Sequence, residues 1–272
     1  MSGPYRLNRT LIEVSGPDAR DFLNNLLTQN LDRLDGAQLA YGALLTPQGK
    51  ILADMLIWRT DEGVVLEADP EHADELERRL GMYRLRAQAK IERSARQGVL
   101  WSPHPFDGAH ADPRLADLGY RRLGAPSEAP SGDSAYDALR LALGAPHLAR
   151  DAAPEEVFAL EALLEELNGV DFKKGCFIGQ ENVSRMKRRA TTRRKFCPIA
   201  FDGEAIPYGA TVRAGEAEIG AVRSGGAGRA IALLRLDRAL EALDAGAPLS
   251  AAGRSIRLDP PPWLTLPARE PG

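Results

Sequence analysis

The sequence predicts an α+β chain in two parts: a mixed helix–strand region over residues 1–192, and a small antiparallel barrel or sandwich over residues 193–272. Three observations lead to this prediction. The 272 residues are 44% apolar and 27% charged, a composition typical of globular proteins that can build a sizeable core. Strand and helix signals are mixed over the first hundred residues. From residue 196 onward, short apolar runs are separated by Gly- and Pro-rich turns.

The first region reads as hairpins joined by single helices. Pro17 follows the first apolar run, and apolar residues at helical spacing then predict a helix over residues 17–27. Asp69-Pro70 marks the start of a second helix, which we expect to reach residue 80. The apolar runs that predict strands are residues 11–14, 39–46, 51–59, 64–68, 90–93 and 99–101.

The middle of the chain is harder to assign. Residues 102–134 are rich in Pro, Gly, Ala, Asp and Ser, which predicts a loop-rich surface connector with one or two short elements. Apolar spacing and helix propensity predict helices over residues 137–143, 154–167 and 180–188. For residues 154–167, an extended first half is the alternative. The strands expected in the second region are residues 196–201, 210–212, 219–222, 230–236 and 256–258.

Composition excludes several classes of protein. The formal net charge of −3 disfavours a globally basic nucleic-acid binder. No apolar run approaches the roughly 20 residues that span a bilayer, and the first residues lack the apolar stretch of a secretory signal. Two cysteines and four scattered histidines exclude a disulfide scaffold and disfavour a resident metal centre. We therefore expect a cytoplasmic protein with no membrane partner, for which nucleic acid is a disfavoured partner.

The densest chemistry surrounds Cys176, which lies between Gly175 and Gly179 just before a predicted helix. A thiol beside a helix N-terminus meets a partial positive charge, and the preceding Lys173 and Lys174 add to it. Both effects favour the thiolate, which is the form that attacks electrophiles and binds metals. The alternative is an inert cysteine with a structural role in a turn.

Two further features are open to more than one interpretation. Residues 185–195 hold seven basic residues and no acidic one, which predicts either a patch for phosphate, polyglutamate or nucleic acid, or a solvated helix end and linker. We favour the second, with Arg188 and Arg189 solvated or bridging the two domains.

Asp54 is the single acidic residue of residues 44–59. It either accepts hydrogen bonds from a heterocycle in a cavity or faces outward from its strand.

Residues 174–181, KGCFIGQE, resemble the K-G-C-F/Y-x-G-Q-E signature of the YgfZ-type folate-binding proteins. These proteins are relatives of the glycine-cleavage T-protein, an aminomethyltransferase. The resemblance extends over nearly the whole chain: residues 46–54 resemble the family's first hairpin, and residues 139–146 resemble its R-x-x-x-G-x-P segment. Within the family, the chain looks most similar to the branch shared by alphaproteobacterial proteins and the mitochondrial iron–sulfur assembly factor.

This resemblance implies a GcvT-like folate-binding two-part region followed by a C-terminal antiparallel β-barrel. It implies a tetrahydrofolate-linked accessory factor for the assembly or repair of 4Fe–4S proteins, with indirect effects on tRNA modification. Cys176 would be the reactive residue, acting as a nucleophile, a redox group or a transient ligand of an iron–sulfur cluster shared with a partner. The resemblance places the following residues around it: Lys174, Gly175, Gly179, Gln180, Glu181 and Arg185. It assigns folate binding to Asp54, Tyr136 and Arg140.

Some positions depart from the family pattern. Ala142 stands where a pterin-binding Glu is common, and Arg9 and Tyr136 stand near the places of tryptophans, so we expect weak folate binding. The expected partners are iron–sulfur assembly proteins and 4Fe–4S client proteins, and we expect an accessory factor rather than an enzyme. One alternative is a folate-dependent one-carbon transferase with Asp54 as acid or base. Another is a tRNA-modification accessory protein that uses the basic stretch.

Overall fold

The computed structural model describes residues 3–95, 98–125, 128–189 and 192–267. Its strands are β1 (Tyr5–Leu7), β2 (Thr10–Ser15), β3 (Leu39–Leu45), β4 (Ile51–Thr60), β5 (Gly63–Ala68), β6 (Lys90–Arg93), β7 (Gly98–Ser102), β8 (His110–Ala111), β9 (Tyr120–Gly124), β10 (Arg194–Phe201), β11 (Thr211–Ala214), β12 (Ala217–Gly226), β13 (Arg229–Arg235), β14 (Leu249–Ala251) and β15 (Arg254–Leu258). Its α-helices are α1 (Ala19–Asn24), α2 (Pro70–Arg84), α3 (Asp133–Ala142), α4 (Leu148–Asp151), α5 (Gln180–Arg189) and α6 (Leu236–Asp244).

The first sheet has five strands in the order β3-β4-β5-β2-β6, and all neighbours are antiparallel. Because side chains alternate along a strand, the sheet has two different faces. Met55 and Ile57 of β4 pack with the apolar residues of α1 and α2. Leu56 and Trp58 point the other way, into the main core. The same alternation places Asp54 on the face directed at the main core.

A second sheet has four strands in the order β1-β7-β9-β8. Strands β8 and β9 come from the segment that the sequence predicts as a surface connector. That prediction is wrong for its charged residues, because Asp112 and Arg121 are 3% and 1% exposed. Arg121 lies opposite the buried Trp101 in the β7–β9 register. Low apolar content hid strand β9, since the one side chain that it buries, Arg121, is charged.

The second region is a closed antiparallel barrel with the strand order β10-β13-β12-β11-β14-β15, in which β15 pairs back onto β10. Its core contains fully buried side chains such as Phe196, Val212 and Ile231. The predicted strands are present with shifted ends. Strand β14 and helix α6, which packs against the barrel through its apolar face, were missed by sequence analysis. The prediction of an α+β fold with a C-terminal antiparallel barrel is confirmed.

The helix predicted over residues 154–167 does not form, and its place is taken by a series of turns. The segment starts by pairing with the first sheet, where the Ile51 amide donates to the Val157 carbonyl at 2.9 Å. Leu163 then adopts a positive φ of 63°, which an α-helix does not allow. Apart from the exposed Pro154 and the half-buried Phe158, the apolar residues of this segment are buried. Burial on several sides therefore outweighs a favourable helix propensity.

Two helices differ in how well their ends were predicted. Helix α1 is shorter than expected, because it ends at Asn24 and Leu27 forms a β-bridge with Leu44. Helix α2 begins as predicted, with the Asp69 side chain accepting from the Glu71 amide at 3.0 Å. Within the described residues, no helix is long and apolar enough to cross a bilayer.

Candidate functional site

The fold gathers the predicted site residues at two places. Residues 174–181 lie on the turn between β3 and β4. Asp54, Tyr136 and Arg140 line one polar cavity. No residue of the 174–181 segment is among the described residues that line this cavity. Cys176 and Asp54 therefore face different spaces.

The segment that carries the thiol is seated on the β3–β4 turn. Within that turn, the Gly49 amide donates to the Thr46 carbonyl at 2.8 Å. Gly179 packs so closely on the turn that a Cβ there would lie 2.6 Å from the Thr46 carbonyl oxygen, and its φ of 81° also favours glycine. The Asn182 side-chain amide donates to the Gln48 carbonyl at 2.9 Å. Two distant sequence segments thus form one rigid unit.

Lys174 fastens this segment to the end of α1. Its ammonium donates to three carbonyl oxygens, those of Asn24 at 2.6 Å, Leu27 at 2.7 Å and Gln29 at 2.8 Å. Burial lowers the pKa of Lys174 to about 8, while the negative charge of Asp171 opposes the shift. At neutral pH the side chain is therefore charged and can donate all of these bonds.

Cys176 lies at the surface, next to the buried Phe177. Gly175 beside it is also exposed, and a Cβ added there would meet nothing within 4 Å. The second thiol is different, because Cys197 is fully buried in β10. Burial, helped by the charge of Asp259, raises the pKa of Cys197 to about 12. Of the two thiols, Cys176 is the one open to reagents and to partner molecules.

Helix α5 follows the thiol, and Gln180 and Glu181 form its first turn. Val183, 1% exposed, attaches the helix to the core. Glu181 and Arg185 belong to an open surface, whereas Gln180 is half-buried and Gly179 packs on the β3–β4 turn. Among the described residues, no group of three or more His, Cys, Asp and Glu side chains is arranged to hold a metal ion.

Asp54 does not face outward from its strand. Its side chain is 14% exposed and lines the cavity rather than facing solvent. The Tyr41 hydroxyl donates to Asp54 Oδ2 at 2.9 Å. Burial, together with the negative charge of Asp54, raises the pKa of Tyr41 well above its ordinary value, so the hydroxyl keeps its proton. His72 Nδ1 lies 3.9 Å from Asp54 Oδ1.

The inner wall of the cavity is a network of buried charges. Glu67 and Arg121, each with a side chain 1% exposed, form an ion pair, and the Trp58 indole donates to Glu67 at 2.9 Å. Arg121 also donates to Asp112 at 3.0 Å, and Arg114 binds the same carboxylate at 2.6 Å. Burial alone would raise the pKa of Asp112, but Arg114 and Arg121 lower it to about 2. The charges in this network compensate one another.

Tyr136 and Arg140 also line the cavity, and both have protein partners. The Tyr136 hydroxyl accepts a hydrogen bond from Arg114 at 2.6 Å. Arg140 donates to Asp151 at 2.9 Å and to the Ser224 hydroxyl at 2.7 Å, and Asp151 accepts from the Ser224 amide at 2.9 Å. Because Ser224 belongs to β12, Arg140 also joins α3 and α4 to the barrel.

The cavity is narrow, and it adjoins a wider recess. His147 Nε2 and Asp69 Oδ2 lie 2.8 Å apart where the two meet. Burial alone would raise the pKa of Asp69, but hydrogen bonds from His147 and from the Glu71 amide lower it to about 2. The cavity encloses about 40 Å³ and the recess about 280 Å³, and Arg9 and Tyr136 line both.

Sequence analysis missed several residues of the cavity, namely Tyr41, Glu67, Asp69, Arg114, Arg121 and His147. They come from separate segments, and no local pattern marks them as a group. Glu67 alone carried a signal, as the single charge in the apolar run of residues 64–68. A buried carboxylate requires a buried cation, but the sequence does not say which one.

Comparisons with known proteins match both ends of the chain to family models. The GCVT N-terminal domain model matches residues 8–84, and the model of the CAF17 C-terminal beta-barrel domain matches residues 193–266. A solved structure, the glycine cleavage system aminomethyltransferase T from Bartonella henselae, covers 99% of this chain and 88% of its own with a TM-score of 0.74. At 18% sequence identity, that likeness shows the fold alone.

Curated relatives are similar over most of the chain. Iron-sulfur cluster assembly factor IBA57, mitochondrial, from Homo sapiens is 32% identical over 85% of this chain and 76% of that protein. The Mus musculus protein of the same name is 31% identical over 85% of this chain and 77% of its own length. The Neurospora crassa homolog is 28% identical, and the match spans 73% of this chain and 54% of that protein. The expectation of a cytoplasmic protein is wrong, because these relatives are named as mitochondrial proteins.

Proposed function

The chain belongs to the IBA57 family of iron–sulfur cluster assembly factors, and from that premise we propose that it assists the assembly or repair of 4Fe–4S proteins through the thiolate of Cys176. The relatives are named as iron–sulfur cluster assembly factors, which supports the role in assembly. The role of Cys176 is supported by its position. Its thiol is exposed, while Lys174 and Asn182 on either side of it hydrogen-bond to the end of α1 and to the β3–β4 turn.

This placement suits a group that acts on a partner protein. Lys174 and Gly179 hold the segment to two different parts of the core, so the thiol keeps a defined position without being enclosed. A thiolate is the form of cysteine that ligates iron. One cysteine supplies a single ligand, so a cluster bound here is shared with a partner chain that supplies the others. The partners proposed are iron–sulfur assembly proteins and 4Fe–4S client proteins.

We further propose that tetrahydrofolate binds weakly at the polar cavity and its recess. The chemistry of the lining fits: Asp54 can accept hydrogen bonds from pterin N–H groups, and the cations Arg9 and Arg150 of the recess suit the carboxylates of the glutamate tail. The space fits only in part, because the inner cavity is narrow and Asp54 already accepts from Tyr41. A ligand that reaches Asp54 must displace neighbouring side chains, which lowers affinity.

The role in assembly is tested by deleting the gene and measuring several 4Fe–4S enzymes in the same cells. We expect their activities to fall and to be restored by the wild-type gene. Dehydrogenases that lack clusters are the control and should keep their activity. Normal 4Fe–4S enzyme activities in the deletion strain would contradict the proposed function.

Folate binding is tested separately by calorimetry with tetrahydrofolate. Weak binding is expected for the wild type, and weaker binding for Asp54→Asn, because losing a hydrogen bond to a charged group costs about 1.5–3 kcal/mol. Cys176→Ser is the matched control, since Cys176 does not line the cavity. If calorimetry shows no heat at millimolar tetrahydrofolate and the melting temperature does not shift, the proposed folate binding is contradicted.

A further inference from the structure

Helix α5 has one face that is fixed to the protein. Val183 is 1% exposed and Met186 packs against the main core. Asn182 binds the β3–β4 turn. These contacts fix the rotation of the helix about its axis, so its other face must point away from the protein. The ten residues of α5 extend about 15 Å along that surface.

Three arginines of α5 are exposed. Arg188 and Arg189 are exposed, as expected for solvated residues, and Arg185 is exposed one turn earlier. Within the described part of the chain, Arg185 donates to the Asn182 side chain and Arg188 to the Ser184 carbonyl at 3.4 Å, and none of the three arginines forms an ion pair. Like charges three and four residues apart on a helix repel one another.

The rest of the basic stretch behaves differently. Arg194 binds Glu161 at 2.9 Å and Lys195 binds Glu166 at 2.5 Å. The side chain of Glu166 is 5% exposed, so this pair belongs to the protein interior. Lys187 of α5 is also paired, with Glu165. Within the described residues of 185–195, the α5 cations that form no ion pair are therefore Arg185, Arg188 and Arg189. Ala190 and Thr191 lie outside the described residues.

The unpaired arginines share their helix with the thiol segment. Cys176 precedes the first residue of α5 by four positions and is exposed, and Lys173 on the same segment is exposed as well. Resting on the proposed function, we propose that the exposed α5 arginines form a docking surface for an acidic face of the protein that meets Cys176. Charge complementarity of this kind speeds encounter and selects the partner.

The occupant is an acidic protein surface rather than RNA. Single-stranded RNA is held by aromatic side chains that stack on its bases. Residues 185–195 contain no aromatic residue. Among the described neighbours, the Phe172 ring is covered by the Lys187 ammonium, 3.9 Å from the ring centroid. The α5 surface therefore offers charge without a stacking platform.

The test compares two double variants of the full-length chain. Arg188→Glu/Arg189→Glu reverses the charge at the end of α5. Arg84→Glu/Arg86→Glu is the matched control, since it also reverses two exposed arginines at the C-terminal end of a helix. Binding of labelled poly-L-glutamate is measured at about 0.15 M salt, with tRNA as a competitor. We expect the α5 variant to bind at least about tenfold more weakly than the wild type and the control. Equal binding by all three proteins, or displacement by tRNA, would overturn the proposal.

The same variants are expressed in the deletion strain, together with Cys176→Ser. The α5 variant should support 4Fe–4S enzymes poorly, while its melting temperature and its alkylation at Cys176 match those of the wild type. If it supports them fully while Cys176→Ser does not, the docking proposal fails and the proposed function stands. If Cys176→Ser also supports them fully, the role proposed for Cys176 fails, and the docking proposal that rests on it fails with it.

Discussion

At the scale of single residues, the two cysteines provide an internal comparison. Cys176 is exposed on its segment, whereas Cys197 is enclosed by the barrel. The pKa of Cys197 is raised to about 12 by burial and by Asp259, so its thiol stays protonated at neutral pH. Access therefore favours reaction at Cys176, and both burial and protonation disfavour reaction at Cys197.

The first prediction concerns alkylation. With iodoacetamide at neutral pH, Cys176 should be modified at least about tenfold faster than Cys197, because the thiolate is the reacting form. Peptide mass spectrometry measures both rates in one sample. Unfolded protein is the control, in which the two cysteines should react at similar rates. Faster labelling of Cys197 in the folded protein would show that the environments have been assigned wrongly.

The second prediction concerns Lys174, which holds the thiol segment to the end of α1. Lys174→Met keeps the length of the side chain but removes the donor from three carbonyl oxygens. Leaving buried acceptors unpaired costs about 1–3 kcal/mol, so the melting temperature should fall and alkylation of Cys176 should change in rate. Lys173→Met is the matched control, since that side chain is exposed. Equal effects of the two substitutions would mean that Lys174 does not position the thiol segment.

At the scale of elements, the buried charges tie β9 and the loop before it to the first sheet. Asp112 accepts from Arg114 and Arg121, and Arg121 reaches Glu67 on β5. The pKa of Asp112 in the folded chain is about 2, below the ordinary value of 3.8 for this side chain. A carboxylate with a lowered pKa stabilises the fold above the unfolded value, and this contribution is lost as the pH falls from about 4 to about 2.

The third prediction follows from the lowered pKa of Asp112. Asp112→Asn removes a charge shared by two buried arginines, and it should reduce the free energy of unfolding at pH 7 by about 3–5 kcal/mol. The difference between variant and wild type should shrink as the pH is lowered below 4. Urea unfolding at several pH values measures both effects. Asp107→Asn is the control, because Asp107 is fully exposed. A pH-independent difference would exclude the charge of Asp112 as the cause.

Some elements of this fold could be predicted from the sequence and others could not. The strands of the first sheet were predictable because their apolar runs end at recognisable turns. The thiol segment was predictable because residues 174–181 are contiguous and carry their signal locally. The turns of residues 154–167 were not predictable, since helix propensity describes an isolated segment and this one is surrounded by the core. Arg114 and Arg121 of the cavity were missed because their segment has a low apolar content and therefore predicted a surface connector, and because Glu67, a partner of Arg121, lies 54 residues away.

At the scale of the whole molecule, buried polar contacts join the barrel to the first region. Asp151 accepts from Arg140, from the His147 amide and from the Ser224 amide, at 2.9, 2.7 and 2.9 Å. Arg194 binds Glu161 as the chain enters β10. These contacts make the barrel and the cavity parts of one structure.

The fourth prediction tests that connection. Asp151→Ala should lower the free energy of unfolding by about 3–5 kcal/mol, because the donors of Arg140, His147 and Ser224 lose a buried carboxylate and Arg140 keeps only its ion pair with Asp137. The unfolding transition should also broaden as the barrel loses its link to α4. Calorimetry and circular dichroism measure both effects. Asp202→Ala, at an exposed site of the barrel region, is the control. A sharp transition with unchanged stability would show that Asp151 does not couple the two regions.

The central claim is that this chain supports 4Fe–4S proteins through Cys176. The most direct measurement is the activity of several 4Fe–4S enzymes in a deletion strain that expresses wild type, Cys176→Ser or Cys197→Ser. Serine is nearly isosteric with cysteine but is a far weaker nucleophile and iron ligand. We predict that Cys176→Ser is made at normal levels with an unchanged melting temperature and fails to restore the enzymes, whereas Cys197→Ser restores them. Full restoration by Cys176→Ser would contradict the claim and leave Cys176 as a structural residue of a turn.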